Sequence, residues 1–348
     1  LNTTTVFFRR CEGYNNASEV LKRLLAKYSD RFSPGEEVLV KPNMLSPRKA
    51  EEAVTTHPMI LRAVLEFLLD LGVKPVVGDS PASGTATSVA KKAGLLDVCE
   101  HLRVPLVELN DPVDANGEVY RKIKISKMAL TMQVVNIAKL KTHSQMVMTL
   151  GVKNTFGCVV GREKPAWHLR AGTNERFADL LIDVHLLVSP VITVMDGIEG
   201  MEGNGPANGT KRFFGLLAVS ENAFALDYAI VEALGVNPGV VYTVARSMDR
   251  GLIPEFEVDG SWKGSIRLPS TTPVVPVPKP LRNLARRFVR VPKINARRCV
   301  KCKICENSCP ARAINMDQVR IDYQKCIRCY VCHEVCPEDA IMLVRKLF

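Results

Sequence analysis

The chain has 348 residues, with 47 Lys+Arg against 36 Asp+Glu for a formal charge of +11, and it contains 11 cysteines. At 47% hydrophobic and 24% charged residues it can bury a core, which excludes disorder over most of its length. No stretch approaches the roughly 18 unbroken apolar residues of a membrane span, and the first ten residues lack the basic start and apolar run of a secretory signal.

Taken in chain order, apolar β-rich runs at 5–9, 37–40, 75–78, 106–109, 134–138, 191–195 and 216–219 alternate with amphipathic stretches such as 17–28, 59–71 and 178–187. That alternation predicts an α/β fold: a large layered domain over residues 1–267 with a mainly parallel sheet. Ligands of such sheets bind past the carboxyl ends of the strands, and the polar motifs fall there. Lys41-Pro42-Asn43 follows the second run, and Gly78-Asp79-Ser80-Pro81 ends the third. Thr55-Thr56-His57-Pro58 opens a helix, with Thr56 as N-cap or nearby hydroxyl and Pro58 in its first turn. Lys141-Thr142-His143 follows the run at 134–140, and Gly151-Val152-Lys153-Asn154 leads to Gly157-Cys158, with Lys164 and His168 shortly after. Asp196-Gly197 through Glu202-Gly203-Asn204-Gly205-Pro206 reads as a glycine-dense loop just past the 191–195 strand, where backbone amides could approach an anion. It is neither a P-loop nor a dinucleotide fingerprint; the alternative is a surface loop without a ligand.

Residues 268–290 form a predicted linker. Five prolines between 268 and 280 make an extended connector. Leu281, Leu284 and Phe288 then take helical spacing with arginines opposite, a short basic helix expected to pack on its own domain. Residues 281–348 carry 15 Lys+Arg against 6 Asp+Glu, so nearly all the net charge lies in this tail, as do eight of the cysteines.

Those eight read Cys299-x2-Cys302-x2-Cys305-x3-Cys309-Pro310 and, 27 residues on, Cys326-x2-Cys329-x2-Cys332-x3-Cys336-Pro337. Each run is the C-x2-C-x2-C-x3-C-P of two-cluster ferredoxins, whose fourth cysteine ligates the other cluster. The spacing predicts two [4Fe-4S] clusters in a small α+β ferredoxin-like domain over 291–348. Cluster I falls to Cys299, Cys302, Cys305 and Cys336, and cluster II to Cys326, Cys329, Cys332 and Cys309. Disulfides do not need a threefold C-x2 ladder, and structural zinc takes four ligands as pairs. Thiolates and bare clusters suit a reducing compartment, so a cytoplasmic protein is expected. Lys301, Lys303, Lys325 and Arg328 in or beside the loops offer a docking face for an acidic electron carrier, or a solvated basic surface.

Together the motifs at Lys41-Pro42-Asn43, Thr56-His57-Pro58, Gly78-Asp79-Ser80-Pro81, Lys141-Thr142-His143, Gly151-Val152-Lys153-Asn154 with Lys164 and His168, and Asp196-Gly197 with 202–206 resemble the domain-of-unknown-function family numbered 362. Some of its members carry a C-terminal two-cluster ferredoxin domain. The resemblance implies an iron–sulfur protein of anaerobic metabolism with no generally established reaction.

If the strand-end groups converge, Lys41, Lys141, Lys153 and Lys164 outnumber the acids Asp79, Asp196 and Glu202, which suits a small anionic substrate. Asn43, His57, Asn154, Gly203 and Gly205 would complete the binding set. Lys141, His143, Lys153 and His168 are the candidates for chemistry, the histidines as proton donors. A redox enzyme using both domains is the leading expectation; a scaffold or electron-transfer subunit docking on a partner oxidoreductase is the alternative. A divalent ion held by His57, Asp79, His143, His168 and Asp196 is a further alternative, without an H-x-x-x-H or H-x-H pair to localise it. No nucleic acid partner is expected, because the basic residues interleave with the cysteines and little aromatic surface accompanies them. Cys158, amid lysines, is where a thiolate would be stabilised; Cys11 and Cys99 look like ordinary thiols.

Overall fold

The structure, a computed structural model, describes residues 3–161, 163–272 and 290–345. Most of the predicted proline-rich connector and basic helix, 273–289, lies outside the described residues. The strands are β1 (Thr4–Arg10), β2 (Glu37–Pro42), β3 (Lys74–Asp79), β4 (Leu106–Glu108), β5 (Pro112–Ala115), β6 (Ile123–Ser126), β7 (Gln133–His143), β8 (Val147–Thr149), β9 (Ile192–Glu202), β10 (Thr210–Ser220) and β11 (Phe256–Asp259). Among the described residues nine of them form one sheet in the order β11-β1-β10-β9-β7-β2-β3-β4, with β8 beside β7. From β9 through β7, β2 and β3 to β4 every neighbour is parallel, while β10 is antiparallel to both β1 and β9. β5 and β6 pair separately.

Strand alternation feeds both faces of this sheet. Val38, Val40, Val135 and Ile137 pack with Leu21, Leu61 and Leu65 of the helices Ala17–Leu25 and Pro58–Asp70. Leu39 and Val134 point the other way, onto Phe177 and Leu181 of the helix Asn174–Val188. Leu140 and Leu216 meet Leu226 and Ile230 of the helix Ala223–Ala233. Each fully buried side chain of this kind contributes about 1.5–3 kcal/mol, and the result is the layered α/β architecture that the sequence predicts.

Two strands run further than their apolar cores suggest. β7 continues from 138 to His143, buried almost throughout, so Lys139, Lys141 and His143 are strand residues on one face. β9 continues to Glu202, and the segment read as a glycine-dense ligand loop is therefore largely strand. Its glycines serve close packing. The register against β7 shifts between Lys139 and Lys141, and there a Cβ at Gly200 would overlap the Leu140 carbonyl oxygen, while one at Gly197 would stand 3.0 Å from the Leu216 carbonyl. The N-cap of the helix Pro58–Asp70 is His57, whose Nδ1 accepts from the Met59 N–H at 3.2 Å. Thr56 instead accepts from the Asn43 N–H and donates to the Ile137 carbonyl, tying β2 to β7.

The C-terminal region is small: β12 (Val291–Ile294) pairs with β15 (Ile341–Val344), β13 (Ile314–Asn315) with β14 (Arg320–Ile321), and two short helices span Ile304–Asn307 and Val331–Glu334. The repeat seen in the sequence is also a repeat of backbone. Lys301 and Arg328 take left-handed φ of 55° and 58°, and Lys303 and Tyr330 both take 60°. These positions fall between matched cysteines, where a left-handed residue turns successive amides inward.

Gly200→Ala should destabilise the protein by about 1–3 kcal/mol through overpacking against β7. Denaturant unfolding checks this, with a lowered midpoint expected at unchanged slope.

Candidate functional site

The carboxyl ends of β2, β3, β7 and β9 bring five lysines together, four of them buried and Lys153 half-buried, and the fold neutralises them unequally. Lys41 donates from Nζ to Asp79 Oδ2 at 2.9 Å and to the Pro42 carbonyl. Asp79 also accepts from the Met44 and Ser80 N–H groups. Gly157 lets the backbone close over this pair, since a Cβ there would overlap both partners. Lys164, on the helix Glu163–Ala171, donates to the Ser80 carbonyl; burial pushes its ammonium down to about 8.

Register sets Lys139 of β7 opposite Asp196 of β9, and their ion pair of 2.8 Å is fully buried. Tyr14 donates to Asp196 Oδ1 and accepts from Lys139, and its ring stacks on His57 at 3.4 Å between centroids. The His57 N–H donates to the other Asp196 oxygen.

Lys141 has no such carboxylate. Its Nζ, fully buried, donates to Asn43 Oδ1 at 2.8 Å and to the Val54 carbonyl at 2.6 Å. Asn43 in turn donates to Asn154, and Asn154 to Asn136. Lys153 lies on the short helix Gly151–Asn154, whose first two N–H groups, of Gly151 and Val152, donate to Asp227 at 2.7 and 2.9 Å. Burial pushes Asp227 up to about 7 against those bonds. Burial and mutual repulsion hold the Lys141 and Lys153 ammoniums below the ordinary lysine range.

Two histidines complete this pocket. His143 Nδ1 accepts from the Gln145 and Met146 N–H groups, so in the neutral ring the proton sits on Nε2. His168 Nδ1 lies 2.8 Å from Gln145 Oε1, and its ring stacks on Phe177. Burial beside Lys153 drives His168 down to about 3, and burial likewise depresses His143.

The pocket is closed by the C-terminal region. Glu334, at the end of the helix Val331–Glu334, places Oε1 3.3 Å from His143 Nε2, with both side chains nearly inaccessible. The distance is that of an ion pair, but the atoms are not aligned as a hydrogen bond, and neither has another partner among the described residues. Burial raises the Glu334 carboxyl while Lys153 and Lys141 pull it back. His333 beside it takes the Asn204 carbonyl and the Ile341 carbonyl on its two nitrogens, and Asn208 donates to the His333 carbonyl. Arg48 bridges Asp339, the Cys336 carbonyl and Glu52.

The sequence-predicted residues thus divide. Lys141, His143, Lys153, His168, Asn43 and Asn154 gather in one largely buried cluster. Lys41 and Asp79 form an ion pair beside it, with Lys164 held nearby by the Ser80 carbonyl, and His57 and Asp196 belong to the Tyr14–Lys139 group. Glu202 is turned away to Arg212 and Arg267, Gly203 takes the left-handed turn below it, and Gly205 supplies its carbonyl to Ser144. This segment, with Asn204 and Asn208, seats the C-terminal region. The proposed divalent-ion set is split between these groups, and among the described residues no three His, Cys, Asp or Glu converge as a single-ion site. Cys158 is fully buried and its thiol is pushed up to about 12, so burial outweighs the nearby lysines and no thiolate is favoured. Tyr14, Lys139, Asp227 and Glu334 escape a sequence reading; only Lys139 leaves a local signal, the alternation Lys139-x-Lys141-x-His143 of a continuing strand.

In the C-terminal region two small cavities are each walled by four cysteines. Cys299, Cys302, Cys305 and Cys336 line the first with Ile304, Met316 and Ile341; Cys309, Cys326, Cys329 and Cys332 line the second with Pro292, Ile314 and Tyr330. The fourth cysteine of each run has crossed to the other cavity, as the spacing requires. The Ala313 and Ala340 N–H groups donate to Cys309 and Cys336 Sγ. Burial pushes the Cys305 thiol up to about 11 and Cys329 to about 12. Thiols so enclosed ionise only with a cation between them, which fits an iron–sulfur cubane as the group these residues would hold.

Fold and cavities together define an α/β protein carrying an iron–sulfur electron-transfer region. Residues 291–337 match a 4Fe-4S dicluster domain, and residues 38–232 match the family described as Domain of unknown function (DUF362). The second match spans more than half of the chain, and the protein belongs to the DUF362 family. A thylakoid-associated protein of Synechocystis sp. is similar to it, 40% identical over 224 residues, 64% of this chain and 70% of that protein. Among the described residues no helix is long and apolar enough to cross a membrane.

Buried neutral histidines make stability pH-dependent. His168 and His185 titrate at about 3 and about 4 in the folded chain, below the ordinary value of 6.5, so between these limits the unfolded chain binds more protons. Stability should therefore fall as pH drops below about 6.5. His185→Gln should flatten that slope by up to about 1.4 kcal/mol per pH unit, measured as the difference between denaturant unfolding at about pH 7.5 and about pH 5.

Proposed function

We propose that the protein is an iron–sulfur oxidoreductase in which electrons pass between the C-terminal region and a small anionic substrate held by Lys141, Lys153, His143 and His168. One observation carries this reading: the helix Val331–Glu334, which bears Cys332 and leads into Cys336, is the element that closes the lysine pocket. When bound, cubanes supply single electrons, with Cys299, Cys302, Cys305 and Cys336 holding one and Cys309, Cys326, Cys329 and Cys332 the other.

The remaining chemistry falls to the α/β residues. Lys141 and Lys153 lie beside one another without an aspartate of their own, so a bound anion would restore their ordinary charged state. Lys41 and Lys139, already paired, shape the wall rather than bind. His143 carries its proton on Nε2, on the side of Glu334, and can donate a hydrogen bond from it to negative charge developing on a substrate reduced there. His168 is held by Phe177 and by its Nδ1–H, which donates to Gln145 Oε1, so its Nε2 is left as an acceptor that can position a substrate N–H or O–H. The docked helix excludes water from both, which strengthens each of these interactions.

Lys301, Lys303 and Lys325 would receive an acidic electron carrier. Exposed Val300 and Ile327, at matched positions of the two runs, add an apolar centre to such a surface. Reducing conditions are needed to keep the cysteines competent, which supports a cytoplasmic setting in anaerobic metabolism. A second reading, a scaffold or electron-transfer subunit without catalysis, draws support from Glu334 itself, since a pocket that serves only to seat the C-terminal region would also take a carboxylate.

Reduced, anaerobically purified protein should show two interacting cluster signals by EPR, and Cys302→Ala should lower iron from about eight to about four atoms per chain. Lys153→Ala and His143→Ala should abolish retention of a small anion while leaving iron content unchanged. Unaltered anion retention in both variants would establish the scaffold reading instead.

A further inference from the structure

Glu334 sits in the pocket without being fitted to it. Asp79 and Asp196 are committed to Lys41 and Lys139, so the carboxylate nearest Lys141 and Lys153 is brought in from the other region of the chain. Lys153 makes no hydrogen bond or ion pair among the described residues, its nearest ring partner being Phe156 at 5.8 Å. His143 Nε2 and Glu334 Oε1 face each other at 3.3 Å, and each is a buried polar atom without a hydrogen-bond partner. A buried polar atom left in this state is destabilising. His143 Nε2 and Glu334 Oε1 thus meet without bonding each other, within electrostatic reach of Lys153, and this describes a position built for a different carboxylate. By contrast, every carboxylate this fold uses structurally is fully engaged: Asp196 has Tyr14, Lys139 and the His57 N–H, and Asp227 has two backbone N–H groups.

We propose that Glu334 is an internal stand-in for the substrate's carboxylate: it covers Lys141, Lys153 and His143 until a carboxylate-bearing substrate displaces it. This rests on the anion-binding reading above and adds the chemical class of the group that binds. Displacement would also be transmitted, because Glu334 ends the helix that bears Cys332 and its neighbour His333 is clasped by Asn204 and Asn208. The site thus distinguishes a bound from an unbound state at the helix between the two cysteine-lined cavities.

The test is the Kd of succinate, with inorganic phosphate as the second probe, for the anaerobic full-length holoprotein by calorimetry. Glu334→Gln keeps the shape and removes the competing charge, and it should bind succinate about tenfold tighter than wild type. Glu334→Asp, which withdraws the carboxylate by one methylene, should fall between the two. Iron content and circular dichroism confirm that both variants fold. Lys153→Met should abolish binding in either background. Succinate binding that is equal or weaker in Glu334→Gln overturns the stand-in role while leaving the anion site standing. Phosphate bound more tightly than succinate overturns the carboxylate assignment. No binding of either probe to wild type or Glu334→Gln overturns the inference and the anion-site reading together.

Discussion

Buried positive charge at the carboxyl end of β7 is the constraint around which this protein is organised. Lys139 and Lys141 lie two residues apart on one face of a strand, and neither is accessible to water. An uncompensated ammonium in such surroundings costs several kcal/mol. The fold answers for Lys139 with Asp196 and, on the adjacent strand, for Lys41 with Asp79. For Lys141 it offers only neutral oxygens, from Asn43 and Val54, and for Lys153 nothing within the α/β layer. The unequal treatment separates two structural ion pairs from two lysines, Lys141 and Lys153, held without an aspartate of their own among the described residues.

Several features that look unrelated follow from this. Asp227, buried on the helix Ala223–Ala233, gives up both oxygens to backbone N–H groups so that the short helix bearing Lys153 starts where it must. Asn136, Asn154 and Asn43 pass one chain of amide hydrogen bonds to Lys141, fixing which oxygen faces the ammonium. The end of β9 and the turn beyond it, with Asn204 and Asn208, hold His333 and so bring Glu334 to the same point. The cysteine-lined region and the buried lysine cluster meet at one four-residue helix.

Legibility in the sequence followed the range of the interactions. The cysteine ladder is local, and its spacing alone assigned each of the eight cysteines to the cavity it now lines, including the crossing of Cys309 and Cys336. Strand and helix alternation was enough for the layered sheet. The strand ends were misjudged because Lys139, Lys141, Gly197 and Gly200 interrupt apolar runs, although burial of paired lysines and close backbone packing keep both strands going. Glu202 looked like a site acid for its position beside glycines, but Arg212 on the next strand and Arg267, far along the chain, claim it. Tyr14, Asp227 and Glu334 could not be found at all: each acts on residues about 75 to 190 positions away, and nothing in its own neighbourhood marks it.

Seating of the iron–sulfur region on the lysine pocket is the point on which everything else depends. Iron-edge anomalous diffraction from crystals of the anaerobically purified protein addresses it most directly. Separate iron peaks inside the two cysteine quartets, with Glu334 facing His143 and Lys153, are the expected result. A zinc signal in place of iron, or the helix Val331–Glu334 seated away from Lys153, would contradict it.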